Sequence, residues 1–453
     1  GTNFGFKHTN LVNLNADNIT WDGVHVTRSM GSGIAVYRPG GGRIKNPVVK
    51  NCRITRNRHR GLEQLHVDGM LLANVFMYQN VQWVEGSTDP VHGANMNGRD
   101  VQDLTVIDCV IAGSYGEGVM IDANHYESKN LNFINSVFYD NLWGTLNLAG
   151  SSGITIDGCL LYASEDYWDP SKPNQWVPRG LVMRGREPEL GDHASWHGIR
   201  NALVQNTILV GCSSDVILGG GRKKLANGEK VVDWDRRIEN VKFYNNTFVN
   251  ARNGAIAANN PNQVGVEFVN NLFIEKGRFF TNDQQVDKWS VSHNAFLENP
   301  PEAMKGAKYW AGQKWVVDAN VPVLHGELDP SSFAPTSASA GKADSGYEPD
   351  FDFYGNERRA HTLGAIDFGG GEPPEPPEPP GPPPPGELAV PEPVVLVSGQ
   401  EITASWPAVE GATGYKVQHL NPAGVKDKFD AGNYLTYKIL NAELGEHVFK
   451  VLA

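Results

Sequence analysis

No stretch of this chain is apolar for the length of a membrane-spanning helix, and residues 1–20 have neither the basic start nor the apolar run of a secretory signal, so neither an anchor nor a leader is visible. Cysteine is scarce, at four in 453 residues, which excludes a disulfide-dense scaffold. Basic residues are outnumbered, 39 against 51 acidic, and the formal charge of −12 argues against nucleic acid as a partner. By contrast, 50 glycines and 28 prolines point to a turn-rich, all-β protein. The length exceeds one ordinary domain, so two folded units and a linker are expected.

A nine-residue unit recurs ten times, apolar at its first, third and eighth places and usually Asn, Asp or Gly at its fifth. Copies begin at Ile19 (ITWDGVHVT), Pro47, Met70, Leu104, Leu131, Ile154, Ala202, Val241, Val266 and Trp289. Most are followed, about fourteen residues on, by a Gly-led strand, as in GIAVY from Gly33, GVMID from Gly118 and GLVMR from Gly180. The shortest spacing, 23 residues, fits one solenoid rung whose strands pair with their equivalents in the next. The sixth place runs Val24, Cys52, Val75, Cys109, Ser136, Cys159, Thr207, Asn246, Asn271, Asn294, an interior column ending in an expected asparagine ladder. Cys52, Cys109 and Cys159 then lie about 9–10 Å apart, too far for a disulfide. With Cys212 they read as buried small hydrophobes, and no metal site is expected of them.

Over about residues 10–300 this pattern resembles the right-handed parallel β-helix superfamily, which includes pectate-lyase-like and other polysaccharide-processing proteins as well as tailspikes and surface adhesins. The segment DFYGNERRAHTLGAIDFGG from Asp352 is similar to the closing segment of many extracellular β-helix proteins. Asp350, just before it, and Asp352 at its start read as a solvated turn ahead of a calcium site. Then EPPEPPEPPGPPPPG from Glu372 is expected to form an extended polyproline spacer. The residues beyond the spacer, with Trp406 in ITASW, Tyr415 in GYKVQ and LGEHVFKV from Leu444, resemble a fibronectin type III domain that stops one strand short. The expected organisation is therefore a parallel β-helix over 1–300, its closing segment over 301–371, a linker over 372–393 and a partial β-sandwich over 394–453.

Four insertions, QWVEGSTDPVH from Gln82, SEDYWDPSKPNQWVPR from Ser164, REPELGDHASWHGIR from Arg186 and RKKLANGEKVVDWDRR from Arg222, flank the Gly-led strands of the third to seventh rungs and would wall a groove. Alternation puts Glu63, Asn95, Asn97, Asp122, Asn147, Arg184 and Arg186 on its floor, with Tyr37 and His92 nearby and Trp168, Trp176 and Trp196 in the walls. Amides, acids and guanidiniums suit the hydroxyls and carboxylates of a sugar chain, and indoles suit its ring faces. For β-elimination, Arg184, Arg186, His193 or His197 would neutralise a uronate carboxylate or act as base, with Asp122 orienting an arginine or helping to hold calcium. For hydrolysis, Glu63 and Asp122 are the candidate carboxylates, with Glu187, Glu189 and Asp192 as substitutes. Each alone is also an ordinary solvated surface residue; the clustering of insertions singles them out. The leading expectation is an extracellular lyase or hydrolase of a uronate-containing polysaccharide. The other is a non-catalytic surface or filament subunit that self-associates through its first rung or its terminal sandwich. Calcium is the one cofactor left open.

Overall fold

A computed structural model of the chain describes residues 10–81, 93–123, 126–165, 178–185, 198–220, 222–224, 230–233, 236–324 and 326–369, and six strands between 394 and 452. The chain divides into two compact units, Gly1–Gly371 and Glu372–Ala453.

The first unit is a parallel β-helix. Three parallel sheets run its length, with ten, twelve and eleven strands, and each strand pairs with its equivalent one rung away. The nine-residue unit supplies two of the three sides. Its first half lies in the second sheet and its second half in the third, as in Thr20–Asp22 followed by His25–Thr27. The Gly-led strands form the first sheet, for example Ile34–Val36, Glu117–Asp122 and Leu181–Arg184.

The fifth-place preference for Asn, Asp and Gly has a backbone cause. That residue is left-handed in every copy: Gly23, Asn51, Asn74, Asp108, Asn135, Gly158, Asn206, Asn245, Asn270 and His293 all have φ between 46° and 70°. A single left-handed residue turns the chain from one sheet to the next, and these residue types adopt that conformation at least cost.

Inside, equivalent side chains stack. Phe243 lies on Phe268 with centroids 4.4 Å apart, and Phe248 on Phe273 at 4.6 Å. The sixth-place column accepts backbone N–H groups from the preceding rung: Val24 N donates to Cys52 Sγ and Val75 N to Cys109 Sγ. The column ends as the expected ladder, Asn246 Nδ2 donating to Asn271 Oδ1 at 3.1 Å and Asn271 Nδ2 to Asn294 Oδ1 at 2.9 Å. All four cysteines are free and buried, and burial pushes the Cys109 and Cys159 thiols up to about 12, so they are packing groups.

After the last rung the chain runs back along the outer face of the third sheet. Trp315, Phe333, Leu363 and Ile366 pack there against Tyr139, Tyr162, Val210, Val249 and Ile274. Buried Arg358 ties this strap to the solenoid by donating to Asn206 Oδ1 at 2.8 Å and to the Gly364 and Ala365 carbonyls. Asp352 is occupied by turn donors: its Oδ1 accepts from Tyr354 N and Asn356 N, and its Oδ2 from Asp367 N. The insertion from Arg222 contains an antiparallel hairpin, Arg222–Lys224 with Lys230–Val232.

The second unit contains two three-stranded antiparallel sheets. One orders Val394–Ser398, Glu401–Ser405 and Thr436–Ile439, and the other Lys426–Gly432, Tyr415–Leu420 and Val448–Leu452. Tyr415, Val417 and Val451 are buried, while Trp406 lies outside the described residues.

Candidate functional site: the outer face of the first sheet

Strand register decides which residues meet on this face, because Cα partners on adjacent strands sit about 4.8 Å apart. One outward column reads Ala35, Glu63, Asn97, Met120, Asn147, Val182, Ile217. The next, two residues along each strand, reads Leu65, Arg99, Asp122, Ala149, Arg184, Gly219. Tyr37 follows Val36, which pairs with Gln64, and so heads this second column. Arg99 and Asp122 are register partners on adjacent strands, and only the small residue Ala149 lies between Asp122 and Arg184 in the column.

Arg60 and Glu117 enter from the strand beginnings, Glu117 pairing with Ala94. Arg60 pairs with Glu63, whose other carboxylate oxygen accepts from Ser32 Oγ at 3.1 Å. Arg184 Nε donates to Asn147 Oδ1 at 3.3 Å. Loss of solvent pulls the Arg60 pKa below its ordinary value, Glu63 and Glu117 pull it back and Arg99 adds repulsion. Loss of solvent also lowers that of Arg179, joined by repulsion from Arg184 and opposed by Glu117. Glu117 is thus felt by arginines on both sides. The floor holds Arg60, Arg99, Arg179 and Arg184 among Glu63, Glu117 and Asp122, with Asn97 and Asn147 as neutral hydrogen-bonding groups. Ala94, Gly144, Ala149 and Gly219 are the small residues among these groups. Tyr115 and Trp143, both partly exposed, stand at its edge in the turns leading into the strands.

Of the residues expected from sequence, Glu63, Asn97, Asp122, Asn147, Arg184 and Tyr37 share this face. Asn95 does not. It is fully buried in the corner between the third and first sheets, accepting from Asn80 Nδ2 at 2.8 Å and donating to Asn141 Oδ1 at 3.1 Å and Ala112 O at 2.9 Å. The alternation that places Asn97 outward breaks at the corner, and Asn95 fills the ladder where Ser114 is too short. His92, Trp168, Trp176, Arg186, Glu187, Glu189, Asp192, His193, Trp196 and His197 lie outside the described residues. Glu63 and Asp122 sit on strands two apart and out of step by two residues, which separates them too widely to act on one glycosidic bond without large side-chain convergence.

Arg60, Arg99, Glu117 and Arg179 were missed. Arg99 was within reach, since the alternation that marks Asn97 marks Arg99 two residues later. No group of three or more His, Cys, Asp or Glu that could hold a metal occurs among the described residues, and none of their helices is long and apolar enough to cross a membrane.

The family model for the right-handed β-helix region matches residues 9–172. The larger unit has the fold of a right-handed parallel β-helix. Its path is similar to that of the pectate lyase Pel9A, at 15% identity and TM-score 0.44 over 78% of this chain and 72% of that one. It is also similar to the A-module of the mannuronan C-5 epimerase AlgE4 of Azotobacter vinelandii, at 11% and 0.31 over 66% and 76%. A third likeness is to PfbA, a surface adhesin of Streptococcus pneumoniae, at 9% and 0.38 over 65% and 70%. No curated protein matches the chain in sequence.

Proposed function

We propose that the outer face of the first sheet binds and depolymerises an acidic polysaccharide outside the cell. The observation that carries this reading is the column in which Asp122 stands between Arg99 and Arg184, with Arg60 and Arg179 beside it. Stacked strands set equivalent side chains about 4.8 Å apart, so Arg99 and Arg184, three strands apart, would meet the carboxylates of separate residues along one uronate chain. Asn97, Asn147 and the edge aromatics Tyr115 and Trp143 suit sugar hydroxyls and ring faces.

Elimination fits the floor better than hydrolysis. It requires a cationic group to stabilise the carboxylate as the neighbouring C–H loses its proton, and arginines are abundant, whereas the Glu63 and Asp122 carboxylates are badly spaced for a hydrolytic pair. Arg184, steadied by Asn147, neutralises the uronate in this reading. Arg179, just ahead of the strand that carries Arg184, adds a second cation for that carboxylate. Asp122 places a carboxylate on the strand next to Arg99. The second unit is read as a fibronectin type III-like module, on the strength of its two three-stranded sheets and buried Tyr415.

The test is a depolymerisation screen of the purified chain on acidic and neutral polysaccharides, with and without calcium, following unsaturated product by ultraviolet absorbance and new reducing ends in parallel. Both signals should rise on an acidic polymer. Reducing ends alone would replace elimination with hydrolysis. Silence on every polymer would overturn the enzymatic reading and leave a surface subunit.

A further inference from the structure

The corner between the third and first sheets carries a second ladder. Ser29 N donates to Asn57 Oδ1, Asn57 N to Asn80 Oδ1, Asn80 N to Asn95 Oδ1 and Ser114 N to Asn141 Oδ1, all between 2.9 and 3.2 Å. Farther along, the same task passes to a carboxyl group: Ala251 N donates to Glu275 Oε2 at 2.8 Å. Asp215 enters this corner as Asn95 does, each preceding the first inward residue of its strand, Val216 and Met96. Asn95 gives an amide hydrogen to its neighbour, but Asp215 has none to give. Both Asp215 oxygens and Glu275 Oε1 are buried without a conventional hydrogen-bond donor, and among the described residues neither group has an ion pair.

We propose that Asp215 and Glu275 hold a proton between them in place of the missing amide hydrogen, so that this rung, and the arginine-bearing strand it anchors, tightens and loosens with pH. The anchoring is direct. Gly180 N donates to Ser214 O at 2.9 Å and Leu181 N to Asp215 O at 2.8 Å, immediately beside Arg179 and ahead of Arg184. Glu275 also lines a cavity of about 310 Å³ with Phe279, Phe296 and Glu298, which offers the proton a path to solvent.

The charged and titratable groups around the pair do not replace the proton. Arg252 donates to Ser164 O at 3.0 Å, and Asp140 accepts from Ser164 N and Oγ. The Cys212 thiol is held protonated by burial. Burial first, then the neighbouring Glu275, raises Asp215 well above the usual carboxyl range, and burial raises Glu275 to about 7. Because the folded values lie above the unfolded ones, the stabilisation is complete at acid pH. It is lost as pH climbs from the usual carboxyl range through about 7.

The test needs no polysaccharide and so stands apart from the groove's proposed function. Thermal unfolding of the full chain would be followed from pH 5 to 9 beside Asp215→Asn/Glu275→Gln, which supplies amide hydrogens as at Asn95. The wild type should lose on the order of 5 °C more than the variant across that range. Infrared spectra of the wild type at neutral pH should show a buried protonated carboxyl. Equal pH slopes, or a wild-type spectrum without that band, would overturn the proposal. The spectrum decides even if the variant fails to fold.

Discussion

The two corners that meet at the third sheet solve one problem in different ways. Between the second and third sheets a single left-handed residue makes every turn, so register never changes and identical amides stack as Asn246, Asn271 and Asn294. Between the third and first sheets the turns vary widely: Tyr78 to Ala94 takes a long insertion, and Ala112 to Glu117 a few residues. There the ladder is assembled from whatever side chain can reach, Asn80, Asn95 and Asn141 in one stretch and Asp215 with Glu275 in another. A constant turn yields a purely structural corner. A variable one leaves room for loops, a groove and titratable groups.

Substitutions can break this contrast in graded steps. Asn271→Leu should cost most, about 4 kcal/mol in denaturant unfolding, because Asn246 N loses its buried acceptor, Asn246 Nδ2 loses one of its two, and the bonds from Asn271 Nδ2 to Asn294 Oδ1, Phe243 O and Val269 O are forfeited. Asn95→Ala should cost about 2–3 kcal/mol, since Asn80 and Asn141 lose a shared partner. A loss well under 1 kcal/mol would return Asn95 to the surface role its sequence position suggests. Asn74→Val, with φ 52° at a constant turn, should cost about 1–2 kcal/mol while Asn74→Gly stays within about 0.5 kcal/mol. Arg184→Ala should change stability least, within about 1 kcal/mol, and yet lower polymer turnover by roughly 10² or more.

The same contrast explains what the sequence disclosed. The fifth-place Asn, Asp and Gly and the Gly-led strands made the rungs readable, and the sixth-place column made its ladder readable, because each depends on local spacing. Asn95 was misplaced because a corner, not a strand, governs it. Arg60, Glu117 and Arg179 stand at strand beginnings, where alternation gives no direction, and their proximity exists only through rung-to-rung pairing. The strap over the third sheet has no repeat to betray it, and isolated anchors such as Trp315 and Phe333 reveal their seats only in three dimensions.

The central claim, that the first sheet's arginines recognise polymer carboxylates, is tested most directly by measuring binding of one acidic polysaccharide and its carboxyl-reduced form to the wild type and to Arg184→Ala. The wild type should prefer the acidic form by at least about tenfold, and the variant should lose most of this preference while remaining folded. Equal binding of both forms by the wild type, or an undiminished preference in the variant, would contradict it.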